Sequence, residues 1–546
     1  MPGSPLSPIE HIVVLMLENR SFDNLLGWLY DPQNPNPPFR RTPPANFDGV
    51  SGKALSNPGP PPQNIQIPVG RGSVPTNPNP DPGEPYQDVY CQVFGRPGAP
   101  PDPGCVPPEP LTPANMQGFV YNYAVQTKVQ EQGIDPGLIM NCFTPETVPV
   151  LSGLAHHYGL CDHWFASIPT QTLCNRSFVH AGTSSGYVNN GGADGILLLN
   201  DTPTIFNLLE DAGQSWKIYC NSWLIENLAL LTQKRIWPYF FTGDHFAHFD
   251  DPIHLDDFIA AAKIRGGLPA YSFIEPIYVD SLVWGPENDM HPESMPAILQ
   301  WDGPSNVEQG ERLLYKLYQA VRNSPDWERT LLIILFDEHG GCYDHVVPPG
   351  KQNPFGCNLA VSPDGIVIPA GQTGGSGFNF DRLGVRVPAV IVSAWTEQQT
   401  ILNNCFDHTS VLSTVVNCFG LPNGKLGRRQ QIAPDVSAAL NRDRPRKDQP
   451  PIPQPLEGAR KVGDILRAAK SMLQARSKEI SELQRQMLYG VGRLIQSAEF
   501  GADGADAVRG EALRMEVDGI GNALEADIFL LKQEAEMHAR RLLRKL

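Results

Sequence analysis

The sequence predicts an α/β protein with a helical C-terminal appendage, and three observations carry that prediction. Residues 11–17 (HIVVLML), 331–336 (LLIILF) and 387–393 (VPAVIVS) are near-continuous apolar runs. Strands buried on both faces, as in parallel sheets, read this way. Residues 204–212 and 310–323 lie between the runs and carry helical patterns, so β-branched runs alternate with helices as an α/β core requires. From residue 457 to the end the chain contains no proline, cysteine or tryptophan.

Taken in order, the first strand at 11–17 leads into Glu18-Asn19-Arg20-Ser21-Phe22-Asp23. Residues 31–110 follow, holding 23 of the 54 prolines. Helices do not tolerate that density, so this stretch reads as a long irregular insertion laid over the body. The strand at 331–336 leads into Asp337-Glu338-His339-Gly340-Gly341. A second proline cluster at 445–456 closes the body as a linker. In 457–546, Ile465, Ala469, Met472, Ile480, Leu483, Met487, Val491 and Leu494 trace one helix face. A second helix runs over about 511–543, after a turn at Gly501-Ala502-Asp503-Gly504. The expected units are therefore a catalytic domain at 1–444, the linker, and a helical domain at 457–546.

Forty-two basic residues against 58 acidic ones give a net charge of -16. The tail holds 15 basic and 14 acidic residues, so the negative excess belongs to the body. This balance excludes a nucleic-acid partner, which needs clustered Lys and Arg. With 41% hydrophobic and 18% charged residues, general disorder is excluded as well. No apolar run reaches the length of a membrane span. No secretory signal is visible, so the protein is expected in the cytoplasm or exported by a route without one. Ten cysteines are too dilute for a disulfide scaffold. Ten free thiols is the simpler reading, with a Cys91–Cys105 bridge as its alternative in an oxidising compartment. The amphipathic tail is expected to form homo-oligomers. Its basic end (Arg540, Arg541, Arg544, Lys545) leaves docking on a membrane surface as the alternative.

Ligands in open α/β sheets bind beyond the carboxyl ends of the strands. Glu18, Asp337 and Glu338 stand at two such ends, and crowded carboxylates resist joint ionisation. A divalent cation answers that crowding; capping of the following helices is the alternative. Thr172, in Ile168-Pro169-Thr170-Gln171-Thr172-Leu173-Cys174-Asn175-Arg176, offers a hydroxyl at the start of a helix. It reads as a nucleophile if a metal is beside it, and as a helix cap otherwise. Cys174 is the competing nucleophile. Three histidines, His291, His345 and His408, each lie beside or near an aspartate (Asp289, Asp344 and Asp407), a pairing that suits proton transfer or phosphate binding.

The segments HIVVLMLENRSFDNLLGWL at 11–29, FDEHGGCYDHVVPP at 336–349, GVRVPAVIVSAW at 384–395 and FDHTSVLSTVVNCFGL at 406–421 resemble the phosphoesterase family. That family includes non-specific phospholipases C of bacteria and plants and a related acid phosphatase. The resemblance spans about 8–425 and implies an alkaline-phosphatase-like sheet flanked by helices. It also implies a metal-dependent phosphoric-ester hydrolase, with calcium or zinc as the cation and a phospholipid at a membrane surface as the substrate. By the same resemblance Glu18, Asn19, Thr172, Asp337 and Glu338 hold the metal, and Thr172 is the nucleophile. His291 and His345 line the phosphate pocket as catalytic histidines, one of which protonates the leaving alkoxide. Asn175, Asp289 and His408 bind substrate. Cys174 stands where the family segment carries proline. An acid phosphatase acting on soluble monoesters is the alternative within the class, and a non-catalytic binding protein the alternative outside it.

Overall fold

The computed structural model describes residues 4–34, 39, 42–62, 65–95, 114–190, 200–220, 227–242, 245–248, 256–278, 287–292, 307–350, 378 and 380–455. An eight-stranded sheet forms the core. Its strands in chain order are β1 (His11–Leu17), β2 (Gly159–Cys161), β3 (Trp216–Cys220), β4 (Phe246–His248), β5 (Tyr271–Ile274), β6 (Thr330–Phe336), β7 (Ala389–Ser393) and β8 (Thr400–Leu402). In space they lie in the order β8-β2-β7-β6-β1-β5-β3-β4. Every pairing is parallel except the two made by β7. The expected α/β core, a sheet flanked by helices, is therefore present, and the sheet is mixed.

One expectation needs correcting. The run at 387–393 is not a parallel strand: β7 is antiparallel to both neighbours. All five residues of β7 are buried, and an unbroken apolar run reports burial on both faces, not chain direction. The three long helices that matter for the site are α1 (Thr172–Ala181), α2 (Val307–Arg322) and α3 (Thr409–Phe419). All ten residues of α1 are buried, whereas α2 buries one face, with Val307, Leu314, Leu317 and Val321 in it, and leaves the other half-buried, as an amphipathic helix on a sheet does.

The proline-rich insertion is also less irregular than expected. It carries the short strand pair Ser56–Pro58 and Gln66–Pro68, and a nine-residue helix, Tyr86–Phe94. That helix begins directly after Pro85 and runs through a proline-free stretch. Mean proline density hid this gap. The expected helices of 457–546 and Cys105 lie outside the described residues. No helix among the described residues is long and apolar enough to cross a membrane. Cys91 and Cys405 are disulfide-bonded, so ten free thiols is not the state of the chain, while Cys142, Cys161, Cys174, Cys220, Cys342 and Cys418 are free.

The register of three adjacent strands places the chemistry. β1 and β6 pair from His11 with Thr330 to Leu17 with Phe336, so Glu18 and Asp337 leave the sheet side by side. β5 pairs with β1 on the other side, Ile274 opposite Leu15, and Glu275 follows it. Three neighbouring parallel strands thus each deliver a carboxylate at the same edge.

Candidate active site

Thr172 is the first residue of α1, directly after the N-cap residue Gln171, whose side chain makes no capping hydrogen bond. The Thr172 hydroxyl points to the strand ends, 3.3 Å from Glu18 Oε2 and 3.3 Å from Asn19 Oδ1. One helical turn on, Arg176 reaches the same carboxylate, as residues four apart on a helix must share a face. Its Nε donates to Glu18 Oε1 at 2.8 Å and its Nη1 to Glu275 Oε2 at 3.0 Å. Nη2 donates to the carbonyl of Met16 at 3.0 Å.

Asn19 is bent out of the strand by a left-handed backbone, φ 54°. Its backbone N–H donates to Asp337 Oδ1 at 2.9 Å. Its side-chain amide donates to Glu84 and lies 2.9 Å from His291 Nε2. Gly340, at φ 58°, lets the loop after β6 close over Asn19, because a Cβ there would lie 2.2 Å from the Asn19 carbonyl oxygen. Glu338 Oε2 accepts from the Gly340 N–H at 2.8 Å.

The electrostatics are those of a carboxylate cluster short of positive charge. Burial, and then the neighbouring Asp337 charge, hold Glu18 well above the usual carboxylate range although Arg176 opposes the shift. Asp337 is raised by burial. Glu338 is held well above its ordinary value by burial and then by Glu84 and Asp337. Burial raises Asp289 to about 6. Asp337 Oδ2 accepts no hydrogen bond and lies 3.5 Å from Arg176 Nε; Glu338 Oε1 accepts none either. Buried carboxylates in this state call for further positive charge. Anionic and amide oxygens with a hydroxyl are the donor set of a divalent cation, so the residues fit one. Glu18, Asp337 and Glu338 do not converge most tightly, however. Among the described residues the groups whose ligand atoms all lie within 4.8 Å of one another are Asp81, Glu84 and His291, and Asp23, Asp344 and His345.

Residues 9–422 match the Phosphoesterase family. The chain belongs to that family. Among relatives, "Non-specific phospholipase C3" of Arabidopsis thaliana is 36% identical over 473 residues, covering 84% of this chain and 79% of that one. "Phospholipase C A" of Mycobacterium tuberculosis is 28% identical over 483 residues, covering 84% and 82%. Among solved structures, an alkaline phosphatase superfamily protein from Vibrio parahaemolyticus aligns with a TM-score of 0.30 at 14% identity, over 53% of this chain and 63% of that one. The protein is a phosphoric-ester hydrolase.

The other sequence-derived residues of this phosphoesterase divide by position. His291 is brought to the Thr172 group through Asn19, and its backbone N–H donates to Asp289 Oδ1 at 2.9 Å. The Asp289 carbonyl in turn accepts from the Glu18 N–H at 2.8 Å. His408 lies under the metal-type carboxylates: its Nε2 is 2.6 Å from the Asp337 carbonyl and its Nδ1 accepts from Trp164 Nε1 at 3.3 Å. Burial lowers its pKa to about 3, so it is a neutral ring that fixes the Asp337 backbone. Asn175 donates to the carbonyls of Ile168 and Thr170 at 3.1 and 2.7 Å and accepts from the Ile168 N–H at 3.0 Å. Its amide therefore shapes the loop that presents Thr172. His345 belongs to another cluster, where Nδ1 lies 2.5 Å from Asp23 Oδ2 and Nε2 3.1 Å from Asp48 Oδ1, around Arg386. Cys174 is not an activated thiolate, because burial holds its thiol above the ordinary range.

Sequence reading missed Asp81, Glu84 and Glu275, and saw in Arg176 a guanidinium of the Thr172 segment without its carboxylate partners. Glu275 carried a usable signal, since it ends the buried run Tyr271-Ser272-Phe273-Ile274 just as Glu18 ends β1. Asp81 and Glu84 carried none, because they sit among the prolines of the insertion.

Proposed function

We propose that this phosphoesterase is a phospholipase C that cleaves glycerophospholipids, phosphatidylcholine among them, to diacylglycerol and a phosphorylated head group, with Thr172 as the covalent nucleophile. The observation that carries the reading is the Thr172 hydroxyl, buried at the head of α1 and aimed at Glu18 and Asn19. The relatives named phospholipase C support the substrate class. Thr172 Oγ1 attacks phosphorus, the bond from phosphorus to the diacylglycerol oxygen breaks, and that oxygen leaves with the proton released by the threonine hydroxyl. Glu18 Oε2, the acceptor of that hydroxyl, lies on the proton's route. Water then cleaves the phospho-threonine ester and frees the phosphorylated head group. Asn175 holds the loop, His408 holds Asp337, and His291 faces the phosphoryl pocket beside Asn19. A calcium or zinc ion held by Glu18, Asn19, Thr172, Asp337 and Glu338 would supply charge stabilisation and lower the pKa of the hydroxyl.

Two further readings belong with this one. The disulfide-bonded Cys91 and Cys405 favour an oxidising compartment for the protein. The segment 457–546 joins copies of the chain into a homo-oligomer. The deciding experiment compares phosphatidylcholine vesicles with p-nitrophenyl phosphate. Release of diacylglycerol and phosphocholine, with kcat/KM above that for the soluble monoester, is expected. Turnover of the monoester alone would replace the phospholipase reading with that of an acid phosphatase.

A further inference from the structure

The proline-rich insertion meets the strand-end carboxylates through a line of polar contacts whose direction is fixed. Gln92 lies inside the insertion helix Tyr86–Phe94 and is buried. Its Nε2 donates to the Gly83 carbonyl at 2.7 Å and to Asn122 Oδ1 at 2.8 Å. A carbonyl oxygen only accepts, so the amide has a single orientation and Oε1 is the atom left to face His339. Asn122 is oriented in turn, because its Nδ2 donates to Asp88 Oδ1 at 2.7 Å. His339 Nε2 lies 2.7 Å from Gln92 Oε1 and must carry a proton to meet that acceptor. The other ring nitrogen, Nδ1, lies 3.2 Å from Glu338 Oε2. Phe119 stands edge-on to the imidazole, with 6.2 Å between centroids, so the buried ring is held by both a polar and an aromatic neighbour. Glu338 Oε2 also accepts from the Gly340 N–H. The carboxylate is thus engaged through one oxygen, while Oε1 makes no hydrogen bond.

We infer that Gln92 and His339 are positioning residues for Glu338: the insertion helix fixes the imidazole, and the imidazole fixes the carboxylate through Oε2, leaving Oε1 for a cation. The inference rests on the reading of Glu338 as a metal ligand given above. It gives the insertion a part in the chemistry, since Gln92 touches neither Glu338 nor substrate and acts only through the ring. Buried partners that orient a ligating side chain in this way are worth about 10–100-fold in metal affinity.

The test is cation affinity. Full-length protein stripped with chelator is titrated calorimetrically with Zn²⁺ and, separately, with Ca²⁺; the binding step lost in Glu338→Gln is the one read. Near-UV circular dichroism and the denaturation midpoint report the fold. His339→Ala and Gln92→Leu are each expected to weaken that step by about 10–100-fold. His339→Asn, whose amide falls where Nδ1 lay, is expected to recover most of the lost affinity, and His339→Gln, whose amide falls nearer Nε2, to recover little. A merely structural role lowers the denaturation midpoint without moving the Kd of the folded variants. If His339→Ala fails to fold, Gln92→Leu decides. Folded variants that bind the cation with the Kd of the unmodified chain overturn the positioning role alone. An unmodified chain that binds neither cation, or a Glu338→Gln variant that loses no step, overturns the reading of Glu338 as a ligand and this inference with it.

Discussion

Replacing Thr172 by alanine separates chemistry from stability. The side chain is fully buried, and its one hydroxyl proton serves one of two acceptors, each at 3.3 Å. A hydrogen bond this long contributes at most about 1 kcal/mol, and the lost methyl about another. Glu18 is not orphaned, because Arg176 still donates to its Oε1 at 2.8 Å. Stability should therefore fall by about 1–2 kcal/mol, well inside the 5–15 kcal/mol typical of a folded domain. Turnover should fall at least ~10³-fold, about 4 kcal/mol of barrier, because no atom remains to attack phosphorus. Thr172→Ser keeps the oxygen and should stay within about tenfold of the unmodified enzyme. The assay is steady-state hydrolysis of phosphatidylcholine and p-nitrophenyl phosphate beside a denaturant titration of each variant. Rapid acid quenching followed by peptide mass analysis should find phosphate on Thr172. If the folded alanine variant turns over within about tenfold of the unmodified enzyme, a barrier change under ~1.4 kcal/mol, Thr172 is not the nucleophile.

Gly340→Ala should lower both the denaturation midpoint and kcat: the left-handed backbone alone costs about 1–2 kcal/mol, and the new Cβ meets the Asn19 carbonyl oxygen at 2.2 Å. Unchanged stability and kcat would show that the loop does not clamp Asn19. Burial would lower the His345 pKa, but Asp23 and Asp48 outweigh it and carry it from 6.5 to about 9. A raised pKa adds stability that is complete below pH 6.5 and lost as pH rises through 9. His345→Gln should therefore flatten the pH dependence of the denaturation midpoint in that window, and an unaltered dependence would assign it to other groups. Alkylation of denatured, unreduced protein should label Cys142, Cys161, Cys174, Cys220, Cys342 and Cys418 and spare Cys91 and Cys405; peptide mass analysis reads the result. Deleting 457–546 should leave p-nitrophenyl phosphate hydrolysis intact and lower the oligomer mass by light scattering. Equal assembly states for the two forms would remove the oligomer role from the tail.

How far the site could be read from sequence depended on where each residue obtains its position. Glu18, Asn19, Asp337 and Glu338 are visible because an apolar run that ends abruptly in acids marks the carboxyl end of a buried strand. Adjacency could not be seen. Only the β1–β6 register puts Glu18 beside Asp337 across 319 positions of chain. Direction is equally hidden, because the apolar run of β7 is the same for a parallel and an antiparallel strand. The histidines show the same limit: His291 and His345 each have an aspartate next to or near them in the chain, yet one is carried to Asn19 and the other to Arg386. Local spacing carries no information about which loop folds back on which strand end.

Arg176 shows how little sequence distance such a link needs once a helix supplies the geometry. It sits inside the segment that presents Thr172, and the four-residue separation puts both side chains on one face of α1. That face meets the ends of β1, β5 and β6 together. Arg176 therefore touches Glu18 and Glu275 and approaches Asp337. A guanidinium with five donors can hold carboxylates from separate strands at once, which a lysine with its single ammonium centre does poorly. Removing the guanidinium would leave at least two buried carboxylates without their cation, a loss that costs about 3–5 kcal/mol for one broken pair. Thr172 is thus positioned by its helix, and the helix is positioned by Arg176 against the same carboxylates that the threonine hydroxyl faces.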